Sequence, residues 1–181
     1  MNIYDSEEKI SSTFSPEFIP EEQLQTQWSE LIQIEKAIYK LHKLKKKRIS
    51  ILDIGVGTGR IIKHLSGIPE VWNCIEHYTG IDNNDNCLSL AQQNINEWKL
   101  IDTVSIIRLE AKDIGNLQKK YDIIMTTWFT PGNFYPPGFD FFLYHPNKNR
   151  LSLKNNPAFT AIWSMAIGML KKKGMVILGS C

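Results

Sequence analysis

From Leu24 to Lys47, apolar side chains recur at Leu24, Trp28, Leu31, Ile34, Ile38, Leu41 and Leu44. Steps of three and four place them on one stripe, and the spacing predicts a helix over residues 24–45. Its cationic end, KLKKKR, suits the negative pole of the helix dipole. The period then changes. Residues 49–54, ISILDI, form a short apolar run leading into GVGTG, which reads as a buried strand and a tight turn. Residues 60–66 read as a short helix and 77–82 as a second strand. Asn83 or Asn84 can cap a helix that carries Leu88, Ala91, Ile95 and Trp98 on one face. A third strand is expected at 103–109 and a fourth at 121–127, followed by an aromatic- and proline-rich loop over 128–156. Asn156 and Pro157 open another helix, with Phe159, Ile162, Trp163, Ala166 and Leu170 facing inward, and Gly174 begins a fifth strand. Residues 1–22, polar and carrying Pro16 and Pro20, read as an irregular arm.

Strands alternating with helices imply an α/β sandwich of three layers around a mostly parallel sheet. Such sheets bind ligands beyond the carboxyl ends of their strands, where the strand order reverses. The organisation expected is an N-terminal arm and helix over residues 1–48 and a ligand-binding domain over 49–181.

Composition narrows the partners. With 21 basic and 19 acidic side chains, no global field recruits nucleic acid or an anionic membrane. No run approaches the ~20 apolar residues that span a bilayer, and the acidic N-terminus lacks the pattern of a signal peptide. Three cysteines, Cys74, Cys87 and Cys181, show neither metal-ligand spacing nor an even count for disulfides. The expectation is a cytoplasmic protein without a metal.

The chemistry concentrates in Asp53-Ile54-Gly55-Val56-Gly57-Thr58-Gly59. Glycines allow the tight turn and a close approach of backbone to ligand. A dinucleotide loop would place its third glycine three residues after the second, where this chain has Arg60, and a phosphate-binding P-loop would end in Gly-Lys-Ser/Thr. An acidic residue two places before GxGxG favours a cationic cofactor tail over a pyrophosphate. With this motif the chain resembles the class I S-adenosylmethionine-dependent methyltransferases, over roughly residues 49–179.

The resemblance implies a Rossmann-like fold, S-adenosylmethionine as cofactor and methyl transfer as the activity. It implies cofactor contacts from Asp53, Gly55, Gly57, Gly59, Asp82, Asn83, Asp113, Ile114 and Thr127. Asp82, at the end of the second strand, would accept from the ribose hydroxyls; it is equally placed to form an Asx turn or helix cap. Asp113 and the following amide would meet the adenine.

The segment after the fourth strand faces the methyl group in this family. Here it is TTWFTPGNF, without the Asn/Asp-Pro-Pro-Tyr/Phe of nucleic-acid amino methylases; TPGNF and the later KKKGMVILGS are similar to enzymes acting on amino-acid amines. Trp128, Phe129, Phe134 and Tyr135 would line a substrate pocket or serve as packing. Asp140, Tyr144 and His145 are the candidate bases in the same loop.

The expected partner is a small molecule with an amine or hydroxyl nucleophile. The alternatives are a methyltransferase-like protein that binds without turnover, and an aminopropyltransferase. The family's sheet has seven strands, whereas this chain stops at its fifth. It is therefore expected to lack strands 6 and 7 and to self-associate through the fifth-strand edge. The arm and first helix are expected to close over the cofactor site as a lid.

Overall fold

Where the hydrophobic period changes at Ile49, the sheet begins. The structure, a computed structural model, describes residues 3–13, 19–127 and 157–179. Five strands alternate with helices: β1 (Ile49–Ile54), β2 (Ile75–Asp82), β3 (Val104–Arg108), β4 (Tyr121–Thr126) and β5 (Leu170–Leu178). Every pairing is parallel and the order is β3-β2-β1-β4-β5. The chain runs outward from β1 in one direction and returns to place β4 on its other side, so the reversal lies between β1 and β4. β3 and β5 form the sheet edges.

Residue parity along the strands divides the core in two. Ile49 and Ile51 of β1, with Ile123 and Met125 of β4, face α2 (Glu21–Lys45) and α3 (Arg60–Ser66), which contribute Leu31, Ile34, Ile38, Leu41, Ile61, Ile62 and Leu65. Ile95 of α5 (Asp85–Glu97) joins this side. Leu52, Ile54 and Ile124 face α6 (Pro157–Gly168) and a 3-10 turn, Ala111–Leu117, through Ile114, Ile162, Trp163 and Ala166. The result is the expected α/β Rossmann-like sandwich, with both faces of the sheet covered.

Several expectations shift by a few residues for identifiable reasons. α2 begins at Glu21, with Glu21 and Glu22 in its first turn where acidic groups suit the dipole. Its buried stripe runs through Gln27, Leu31, Ile34, Ile38 and Leu41; Trp28 is 58% exposed and sets its ring edge against His64. Leu44 is also exposed. The arm is not irregular throughout. A 3-10 turn at Ile3–Asp5 leads into α1 (Glu7–Thr13), whose start is capped by the Ser6 hydroxyl accepting from the Lys9 amide. Ile10 is fully buried where α1 packs on α5. A further short helix, α4 (Pro69–Trp72), leads into β2, which starts two residues earlier than expected. Pro157 opens α6 as expected; Met169 rather than Leu170 completes its buried face, because Leu170 already pairs with Tyr121 in β5.

β5 is irregular between Leu170 and Met175, where the register breaks. Lys173 takes φ 60°, and a Cβ on Gly174 would lie 2.8 Å from the Lys171 carbonyl and 3.0 Å from that of Asp122. Glycine is therefore required by close backbone approach. The distortion carries Lys171 to the buried Asp122 at the amino end of β4, 3.1 Å away. Asp122 also accepts from Lys45 at 2.6 Å and from the Ser50 amide and hydroxyl at 2.9 and 3.0 Å. Burial alone would raise its pKa; these donors outweigh that and hold it below the usual carboxylate range.

Candidate functional site

At the opposite, carboxyl end of the sheet, the glycine loop leaves β1 beside β2. Gly55, Gly57 and Gly59 have φ of 81°, 56° and 88°, a region that only glycine enters without strain. The amides of Gly55 and Val56 both donate to the Ile81 carbonyl at 2.9 Å, and Asn94 of α5 donates to the Thr58 carbonyl at 3.0 Å. Val56 fits because β2 carries Gly80 opposite it; a Cβ there would lie 2.7 Å from the Val56 side chain. A Cβ on Gly57 would meet no protein atom within 4 Å, so the loop leaves open space there.

Asp53 ends β1 only 1% exposed, and its Oδ2 accepts from the Tyr78 hydroxyl at 2.6 Å. Its Oδ1 is buried and has no hydrogen-bond partner. Burial is the largest influence on its acidity, partly opposed by Tyr78 and Arg60 and reinforced by Asp82 and Glu30. Together they push the pKa up to about 7. The Tyr78 phenol is held well above its ordinary value, first by burial and then by the neighbouring Asp53 carboxylate.

Asp82 forms the turn open to it in the sequence and a second bond besides. Its Oδ1 accepts from the Asn84 amide at 3.0 Å, forming the Asx turn that precedes α5. Its Oδ2 accepts from the Gly57 amide at 3.0 Å, tying the end of β2 to the glycine loop. Each carboxylate oxygen keeps a further lone pair. Asn84 rather than Asn83 caps α5, with its side chain accepting from the Cys87 amide at 2.9 Å; Asn83 is exposed. Past β3, Asp113 is half-buried in the 3-10 turn, and the Ile114 side chain anchors that turn in the core. Thr127 is buried just beyond β4. Asp53, Asp82, Asp113 and Thr127 thus stand at the carboxyl ends of four adjacent strands. Trp128, Phe129, Phe134, Tyr135, Asp140, Tyr144 and His145 lie outside the described residues.

The structure adds side chains with no sequence motif to mark them. Tyr78 sits within a strand and is found only through its bond to Asp53. Glu30 of α2 pairs through Oε2 with Arg60, the residue after the glycine loop, at 3.0 Å. The carbonyl of Tyr4 accepts from the side-chain amides of Asn84 and Asn86 at 3.3 and 3.0 Å, docking the arm beside Asp82.

Residues 51–134 match the family model of a methyltransferase domain. A release factor glutamine methyltransferase of Buchnera aphidicola subsp. Acyrthosiphon pisum (strain APS) is 32% identical over 95 residues, covering 52% of this chain and 31% of its own. Among solved structures, the plantazolicin methyltransferase BpumL, in complex with a pentazolic desmethylPZN analog and SAH, superposes with a TM-score of 0.55. It is 22% identical, over 94% of this chain and 51% of that one. Magnesium protoporphyrin IX methyltransferase (ChlM) from Synechocystis PCC 6803, with bound SAM, gives 0.59 at 12% identity, over 93% and 68%. The chain spans about a third of the length of the curated relative and about half that of the plantazolicin enzyme. Among the described residues no helix is long and apolar enough to cross a membrane. The glycine loop, the strand order and these likenesses agree: residues 51–134 are similar to a methyltransferase domain, and the sheet has the Rossmann-like fold of the solved S-adenosylmethionine-dependent methyltransferases.

Proposed function

We propose that this chain binds S-adenosylmethionine over the carboxyl ends of β1–β3 and transfers its methyl group to a small-molecule amine or hydroxyl. The observation that carries this reading is the bond from the Gly57 amide to Asp82 Oδ2, beside a loop that leaves open space at Gly57. The orphaned Oδ1 of Asp53 fits the same cofactor, because a buried acceptor without a donor is costly until a cationic tail supplies one.

In this reading Asp53 takes the ammonium of the methionine tail, Asp82 the ribose hydroxyls, and Asp113 with the Ile114 amide the adenine. Asn83 borders the ribose, Gly55, Gly57 and Gly59 let the backbone close on the tail, and Thr127 faces the transferred group. When bound, the cofactor supplies a sulfonium-linked methyl for in-line displacement. The protein's part is orientation and exclusion of water. The arm and α2, residues 1–48, act as the cover: the Tyr4 carbonyl on Asn84 and Asn86 sets the arm against the ribose end.

Calorimetry with S-adenosylhomocysteine and with NAD tests the binding. The expected result is a saturable signal with the first and none with the second; the reverse overturns the reading. Formation of S-adenosylhomocysteine from S-adenosylmethionine in the presence of candidate amines tests the transfer.

A further inference from the structure

Glu30 lies in α2, upstream of the region matched by the methyltransferase model, and belongs to no motif. Its carboxylate nevertheless reaches the carboxyl end of the sheet. Oε2 is engaged by Arg60, whereas Oε1 is buried and has no hydrogen-bond partner. Gly179, just beyond β5, lies directly against that oxygen: a Cβ at Gly179 would collide with Glu30 Oε1 and stand 3.1 Å from the Thr127 Cα. Glu30 Oε1 is therefore held between the carboxyl ends of β4 and β5, next to Thr127.

The side chain is only 11% exposed. A carboxylate so enclosed, with one oxygen lacking a donor, is unstable relative to water unless a ligand provides the missing hydrogen. The local charge selects the kind of ligand. The charged groups acting on Asp53 are one guanidinium, Arg60, against two carboxylates, Asp82 and Glu30, so carboxylates outnumber the guanidinium around it. A second observation agrees: Asp53 Oδ1, at the end of β1, is orphaned in the same way. Anions are repelled here and neutral donors gain little, whereas an ammonium gains a charge-assisted bond.

We propose that Glu30 Oε1 is an ammonium-binding subsite at the carboxyl ends of β4 and β5, contributed by the N-terminal helix. The inference rests on the cofactor-site reading above. The ammonium comes from one of two sources: the amino-acid tail of the cofactor, or an amine placed at the point of methyl transfer. Arg60 orients the carboxylate through Oε2 and leaves Oε1 for the ligand.

The test uses the full chain and Glu30→Gln, which keeps the volume and an oxygen for Arg60 but turns the ligand-facing acceptor into a donor. Affinities are measured for three probes. S-adenosylhomocysteine carries the α-ammonium. Sinefungin carries it together with a second amine where the methyl group stands. Methylthioadenosine carries neither, and reports the integrity of the nucleoside site.

Weakening of sinefungin by roughly 10- to 100-fold, with S-adenosylhomocysteine unchanged, supports the subsite and assigns it to the acceptor amine. Equal weakening of both, with methylthioadenosine unchanged, supports it and assigns it to the cofactor tail. Unchanged affinity for all three probes overturns the subsite, as does equal loss of all three, which marks Glu30 as structural. A chain that binds none of the probes before substitution overturns the cofactor reading itself, a result distinct from either failure of Glu30.

Discussion

The Tyr78 hydroxyl donates to Asp53 across 2.6 Å, linking β2 to the carboxyl end of β1 just before the glycine loop, and both side chains are buried. The bond satisfies one carboxylate oxygen and leaves the other buried without a partner. Burial then dominates, and the carboxyl remains partly protonated near neutrality.

This sets a pH dependence whose sign can be worked out. The pKa of Asp53 is raised in the folded chain from 3.8 to about 7. The folded state therefore holds the extra proton between those values, and its stability falls as pH rises through that interval. Asp53→Asn should gain on the order of 2 kcal/mol relative to the parent between pH 5 and pH 8. Urea unfolding at the two pH values checks it; a pH-independent difference would contradict the raised pKa.

A cationic tail at Oδ1 favours the ionised form of Asp53, which must lose its proton when the ligand binds below pH 7. Affinity for S-adenosylhomocysteine should accordingly weaken as pH falls from 8 to 6, with proton release visible as a dependence of the calorimetric heat on buffer ionisation. Asp53→Asn should flatten the profile.

Asp82→Ala should weaken S-adenosylhomocysteine by roughly 10- to 150-fold, the equivalent of about 1.5–3 kcal/mol for a charged hydrogen-bond partner. An unchanged dissociation constant would leave Asp82 with only its turn and loop bonds.

Gly57→Ala separates ligand approach from folding. The new Cβ meets no protein atom, so the cost to the fold is the backbone strain at φ 56°, about 1–2 kcal/mol. Binding of S-adenosylhomocysteine should disappear while the circular dichroism spectrum is retained. Gly80→Ala should do the reverse in origin: its Cβ strikes Val56 at 2.7 Å, and the loop itself must move.

Asp122→Ala should cost about 3 kcal/mol, because Lys45 and Lys171 lose the buried acceptor that neutralises them. Its folded-state pKa is depressed. The contribution is therefore present above the unfolded value of about 4 and is lost as pH falls through the folded one. Unfolding midpoints of parent and variant should converge in acid.

Deleting residues 1–13 tests the cover. It removes the Tyr4 carbonyl from Asn84 and Asn86 and the buried Ile10 from α5. Affinity for S-adenosylhomocysteine should drop by about tenfold, on the scale of one buried apolar side chain. Full affinity in the shortened chain would show that the arm only packs against α5.

The sequence alone determined the kind and order of the five strands and of α2, α3, α5 and α6, because a period of two and a period of 3.6 are local properties that no distant contact alters. It also determined the glycine loop: three positive φ values in five residues admit little else, and Asp53 and Asp82 follow from their places at strand ends. The direction each helix faces was decided by tertiary structure. An apolar stripe tolerates a rotation that exchanges Trp28 for Gln27, and the packing of α2 on the sheet chose between them. The capped α1 was missed in a stretch that read as an irregular arm, since one apolar residue, Ile10, becomes a core residue only where α5 stands to cover it. The partners of the buried carboxylates lay wholly outside the sequence pattern. Tyr78 meets Asp53 across 25 residues, Lys171 meets Asp122 across 49, and Glu30 meets Arg60 across 30. Strand order and helix placement create these neighbours, and a hydrogen bond between distant residues leaves no period in the chain.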